Sequence, residues 1–160
     1  MNEGLTHHTH FRIEKYKVYD GLKYPVPFAV EEFEKNLGLN AGLNLVTSLM
    51  CGGAGTAFDS AASYMGVGDS DTAAAAAQTG LQGSNKAYAG MEAGYPTFGS
   101  SQQIVWKASF AGGVGNFAWE EFTMENADYG SGVSLFRKTS SRGTKYTDEV
   151  WDMTITYTLS

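Results

Sequence analysis

Val150-Trp-Asp-Met-Thr-Ile-Thr-Tyr-Thr-Leu159 decides the fold class. Trp151, Met153, Ile155, Tyr157 and Leu159 alternate with Asp152, Thr154, Thr156 and Thr158. A period of two with β-branched and aromatic residues describes a strand with one buried face. Gln102–Ala111 repeats the pattern, with Ile104, Trp106, Ala108 and Phe110 inward and Val105, Lys107 and Ser109 outward. Between them, Asn116–Met124 changes phase. Phe117 and Trp119 share one parity, Phe122 and Met124 the other, and a β-bulge near Glu120-Glu121 would return all four to one face. Shorter strands are expected at Ser63–Val67, Lys86–Met91 and Gly132–Arg137. Several strands separated by Gly-rich turns predict a mainly β protein, an antiparallel β-sandwich or jelly-roll-like body.

Composition agrees. Glycine makes up 20 of 160 residues, well above the ~7% of ordinary chains. Three Trp, nine Tyr and nine Phe are too many for a disordered chain. The length suits about one domain and leaves no room for separate cofactor and substrate domains. One helix is expected over Asn36–Gly52, capped by Asn40, with Leu43, Val46, Leu49 and Met50 at helical spacing and Gly52-Gly53 as the stop.

Charge is distributed unevenly. Residues 1–35 carry 11 of the 28 charged side chains, and 36–85 carry only Asp59, Asp69 and Asp71. This divides the chain into an extended N-terminal arm, 1–35, and a β-sandwich body, 36–160. In the arm, Phe11 and Ile13 fall on one side of a strand and Tyr16 and Val18 on the other, so neither face is cleanly apolar. Such a strand is expected at an edge. Phe11, Tyr16, Tyr19, Tyr24, Phe28 and Phe33 lack a core of their own and call for another subunit to cover them. The low-charge segment 36–85 is expected at an interface too. The partner residues expected on these grounds are Phe11, Ile13, Tyr16, Val18, Tyr24, Met65 and Val67.

Chemistry finds little purchase. The net charge of −6 and the lack of a basic block argue against duplex nucleic acid, where phosphate neutralisation supplies the affinity. No apolar stretch reaches the ~20 residues of a membrane span, and Met1–Arg12 has no apolar signal-type segment, so synthesis and assembly in a cytoplasm are expected. Cys51 is the sole cysteine and reads as a small buried hydrophobe. His7, His8 and His10 hold every imidazole but read as a tail that lacks the rigid scaffold of a metal site. Asp69 and Asp71 have the spacing that opens a calcium loop, yet Ala74 and Gly80 stand where Gly and Glu are needed. They read as turn caps. Glu120 and Glu121 are adjacent and, on a strand, point to opposite faces, unlike a glycosidase pair. No nucleophile elbow or phosphate loop occurs. No catalytic residue, metal or cofactor is expected.

Several ordered stretches carry a resemblance: Tyr64-Met-Gly-Val-Gly-Asp-Ser-Asp-Thr72, Gln78-Thr-Gly-Leu-Gln-Gly-Ser-Asn-Lys-Ala-Tyr88, Gly94-Tyr-Pro-Thr97, Asn116-Phe-Ala-Trp-Glu-Glu121, Leu135-Phe-Arg-Lys138, Gly143-Thr-Lys145 and the ending from Trp151 to Thr158-Leu-Ser160. Together they resemble a family of tailed-bacteriophage virion structural proteins, with Phe136 standing where the family often has Asn. The resemblance implies a non-enzymatic virion component. Within the family it points to a capsid decoration (cement) protein, a homotrimer on the virion surface that binds and stabilises the major capsid protein shell. A tail, neck or receptor-binding fibre component is the alternative, and a carbohydrate-binding or -cleaving virion protein the second.

Overall fold

The computed structural model describes residues 7–128 and 130–160. Among these residues are eleven strands and one helix: β1 His7–Tyr19, β2 Leu22–Lys23, β3 Ala29–Glu34, β4 Leu37–Gly38, α1 Asn40–Met50, β5 Tyr64–Gly68, β6 Lys86–Gly90, β7 Thr97–Ser100, β8 Gln103–Phe110, β9 Glu121–Glu125, β10 Ser134–Thr139 and β11 Glu149–Leu159. One sheet runs β2-β1-β11-β8-β7, with β3 also paired to β1; the other runs β4-β10-β9-β5-β6. All these pairings are antiparallel. The chain is a mainly β, antiparallel sandwich-like fold with curled sheets.

The alternation in β8 and β11 sets the register. Trp151 lies opposite Phe110, Met153 opposite Ala108 and Ile155 opposite Trp106. All six are buried. In the second sheet Met65 faces Met124 and Val67 faces Phe122, again buried. Trp119 meets Trp151 and Phe110 edge-on at centroid distances of 4.7 and 4.8 Å. Each such side chain contributes roughly 1.5–3 kcal/mol by leaving water.

Residues 1–6 of the expected arm lie outside the described residues, and residues 7–34 do not form a separate arm. β1 pairs with β11 from His7↔Leu159 to Lys17↔Glu149, and its other edge carries β3 and β2. It is an interior strand. Phe11 and Ile13 are fully buried in the chain's own core, and Phe11 stacks on Phe33 at 4.7 Å. The odd-numbered face of β1 is therefore the core face despite Lys15, whose Nζ is neutralised by Glu31 and lies over the Trp151 ring.

The phase change in 116–124 coincides with a register irregularity against 139–144, at the place where the bulge near Glu120-Glu121 is expected. Ala118 bridges Thr144, the Arg142 and Ser140 N–H groups donate to Trp119 O and Glu120 O, the Glu120 N–H donates to Gly68 O, and Thr139 faces Glu121. The helix starts at Asn40, after an extended Leu39 that makes no side-chain cap; the Asn40 N–H donates to Ala76 O. Gly42 lets α1 approach β10 closely, since a Cβ there would lie 2.5 Å from Leu135 Cα. Cys51, expected inside, is exposed.

Candidate interaction surfaces

The seven expected partner residues separate into three groups. Phe11, Ile13, Met65 and Val67 are wholly buried in the core and have no surface to offer. Tyr16 and Val18, on the outer face of β1, are half-buried. Tyr24 alone stands in the open.

Tyr24 belongs to an apolar patch wider than expected. The two-residue Asp20-Gly21 turn, with φ of 49° and 75°, joins β1 to β2. Both central residues at positive φ make the type I′ hairpin that Asp-Gly favours. Around it Tyr19, Leu22, Tyr24, Val26, Phe28 and Val30 are 44 to 74% exposed. Tyr19 and Tyr24 meet edge-on at 5.9 Å. Lys17 lies over the Phe28 ring at 5.3 Å and Lys23 over Tyr16 at 4.3 Å. A hollow of about 570 Å³ opens among Lys17, Tyr19, Tyr24, Val26, Pro27 and Phe28. The Asp-Gly pair was the sequence signal for this hairpin, and reading 1–35 as one extended arm passed over it.

A second apolar surface lies at the other end of β1. A groove of about 670 Å³ runs between α1 and the ends of β8 and β11, lined by Leu43, Val46, Met50, Phe58, Phe98, Ile104, Trp106, Tyr157 and Leu159 among others. His7 borders it and stacks on Tyr157 at 5.5 Å. The helical spacing of Leu43, Val46 and Met50 thus marks a groove wall, with Leu43 and Met50 exposed, rather than a sealed core. Thirteen residues at ~3.3 Å each put the two surfaces on the order of 40 Å apart along β1.

The outer face of the second sheet is polar and sealed. Loop 69–85 folds over it, and Asp69 anchors the loop by accepting from the Asn85 N–H and Nδ2 at 3.0 and 2.6 Å. These bonds hold the Asp69 carboxyl below its ordinary range. Glu121 accepts from Gln82 N at 2.9 Å, Gly83 N at 2.6 Å and Arg137 Nε at 2.7 Å. Arg137 Nη1 donates to Thr72 O and Gln78 Oε1. Glu121 and Arg137 are both fully buried, and Gly68 leaves the room that the Glu121 carboxylate fills. Nearby, burial pushes the Glu125 carboxyl up, and burial with Glu125 and Glu121 pushes up the Tyr88 hydroxyl. The low charge of 36–85 thus has an internal reason in part, because 69–85 covers the chain's own sheet. Glu120 accepts from Ser141 and shares no partner with Glu121 among the described residues.

The histidines lie on β1 rather than in a tail. His8 Nε2 is 3.1 Å from Glu34 and His10 Nε2 3.9 Å from Glu32. Among the described residues no group of three or more His, Cys, Asp or Glu is placed so that it could hold a metal ion. Lys145 is fully buried, donates to Ala111 O and Asn116 Oδ1, and is pushed down to about 8 by burial. No helix among the described residues is long and apolar enough to cross a membrane.

No family model, curated protein or solved structure matches this chain.

Proposed function

We propose that this chain is a non-enzymatic virion structural protein of a tailed bacteriophage, of the capsid decoration kind, which binds the major capsid protein as a homotrimer. The observation that carries the reading is the pair of apolar surfaces at opposite ends of β1. A decoration protein needs two kinds of contact, one with the shell and one with its own copies. Six large apolar side chains around the hairpin expose on the order of 500 Å², at the upper end of what a monomer leaves open. The hairpin is the shell contact in this reading. The groove, walled by α1 and the 57–59 loop of the low-charge segment, is the contact between copies. Closed symmetry covers such a surface without building fibres. Three linked hairpins then hold the trimer by raised effective concentration even where each contact is weak. The resemblance of residues 64–160 to phage structural proteins supports the same reading.

The test is copy number and oligomeric state together. Stained gels of purified virions should show this chain in proportion to the major capsid protein, and mass photometry should show a trimer. Leu43→Ser with Met50→Ser should yield monomers, while Tyr24→Ser with Phe28→Ser should leave trimers that no longer bind particles. A few copies per virion would favour the tail, neck or fibre reading, and a tight monomer that still saturates shells would overturn the trimer.

A further inference from the structure

We propose that the small hollow where the chain passes from one sheet to the other binds a single oxyanion, a carboxylate or a phosphate, between Lys35 and Lys138. The hollow, about 190 Å³, is lined by Lys35, Asn36, Ala74, Arg137, Lys138 and Thr139. It exists because β4 pairs with β10 only at Phe136 and Arg137, which leaves that edge of β10 open at Lys138 and Thr139. Residues 35 and 36 link β3 of one sheet to β4 of the other, and Ala74 belongs to the loop over the second sheet. Lys35 holds φ at +66°, a conformation that non-glycine residues keep only where their surroundings enforce it.

Charge accounting singles the hollow out. Arg137 is balanced by Glu121, and Arg142 shares Glu31 with Lys15. Lys35 and Lys138 have no carboxylate: neither ammonium makes an ion pair or hydrogen bond among the described residues. Burial, then the charges of Arg142 and Lys35, pushes the Lys138 ammonium below the ordinary lysine range. A chain of net charge −6 therefore gathers two uncompensated ammonium groups at the lining of one hollow. An oxyanion supplies what is missing there, negative charge and acceptor oxygens between the two ammonium groups. Carboxylate and phosphate share this chemistry, and the volume admits one head group rather than a polyanion. The site stands independently of any role on a capsid.

The test is a ¹⁵N-NMR titration of the full chain at pH 7 with sodium phosphate and, separately, sodium acetate, against sodium chloride at matched ionic strength. Saturable shifts confined to the amides of Lys35, Asn36, Lys138 and Thr139 are expected. Lys35→Gln and Lys138→Gln should each weaken binding about threefold, and the double variant about tenfold. Tighter saturation by acetate assigns the site to a carboxylate-bearing partner, and tighter saturation by phosphate to a phosphate-bearing one. Shifts that never saturate with either anion, or that persist unchanged in the double variant, would overturn the proposal. So would a double variant that melts well below the wild type, because it would show that the two ammonium groups already have partners.

Discussion

β1 and the segment directly after it carry similar apolar residues to opposite fates. In β1, Phe11 and Ile13 are sealed in the core; in residues 19–30, Tyr19, Leu22, Tyr24, Val26 and Phe28 stand in solvent. The cause is neighbours rather than composition. β1 is flanked by β11 along eleven register pairs and by β3 along six. β2 is two residues long and pairs only at Val18 and Tyr19. The loop after it is tied to β1 by Tyr24 N–H to Lys17 O and Phe28 N–H to Lys15 O, both 2.8 Å. Apolar residues tell that a surface must be covered, while strand pairing decides whether the chain covers it itself.

Removing residues 1–35 breaks this comparison most severely. The deletion takes away β1, β2 and β3 and strips one edge of β11, so loss of cooperative unfolding by circular dichroism is expected. A truncated chain that still folded cooperatively would restore the idea of a detachable arm. Next in size is Phe11→Ala, which empties the stack with Phe33 and the contacts to Phe122 and Phe136. It should cost about 3–5 kcal/mol in urea unfolding, as for other buried phenylalanines. A cost under ~1 kcal/mol would place Phe11 outside the core.

Near the end of β1, Lys17 joins Asp148 and Glu149, and Lys145 lies buried close by. Lys145 sits at about 8 when folded, below its ordinary value of 10.5. Between those values the unfolded chain holds the extra proton, so stability rises with pH from about 8 to 10. The gain should be on the order of 1–2 kcal/mol and vanish in Lys145→Met. Equal slopes in the two proteins would rule it out. Smallest in stability is Tyr24→Ser with Phe28→Ser, expected to change unfolding by about 1 kcal/mol because each ring is already about half exposed. The same pair should abolish particle binding. That contrast, stability largely kept and binding lost, separates an interaction surface from a core.

The local pattern was enough for the strands at β8 and β11 and for the placing of α1, because side-chain period acts within a few residues. Asp69, read as a local turn cap, instead closes its loop onto Asn85 sixteen residues away. The local pattern has a shorter reach than that. It did not reveal that β1 is interior, since the partner that makes it so, β11, lies more than a hundred residues away and starts from His7↔Leu159. Nor did it reveal the groove, whose walls come from α1, the 57–59 loop and residues of β1, β7, β8, β10 and β11. The outer face of the second sheet shows the same limit. Glu121, Thr123, Glu125 and Arg137 are polar positions of β9 and β10, yet all four are buried. Period-two alternation says which residues share a face, and only the folding of loop 69–85 over that face decides what they meet there.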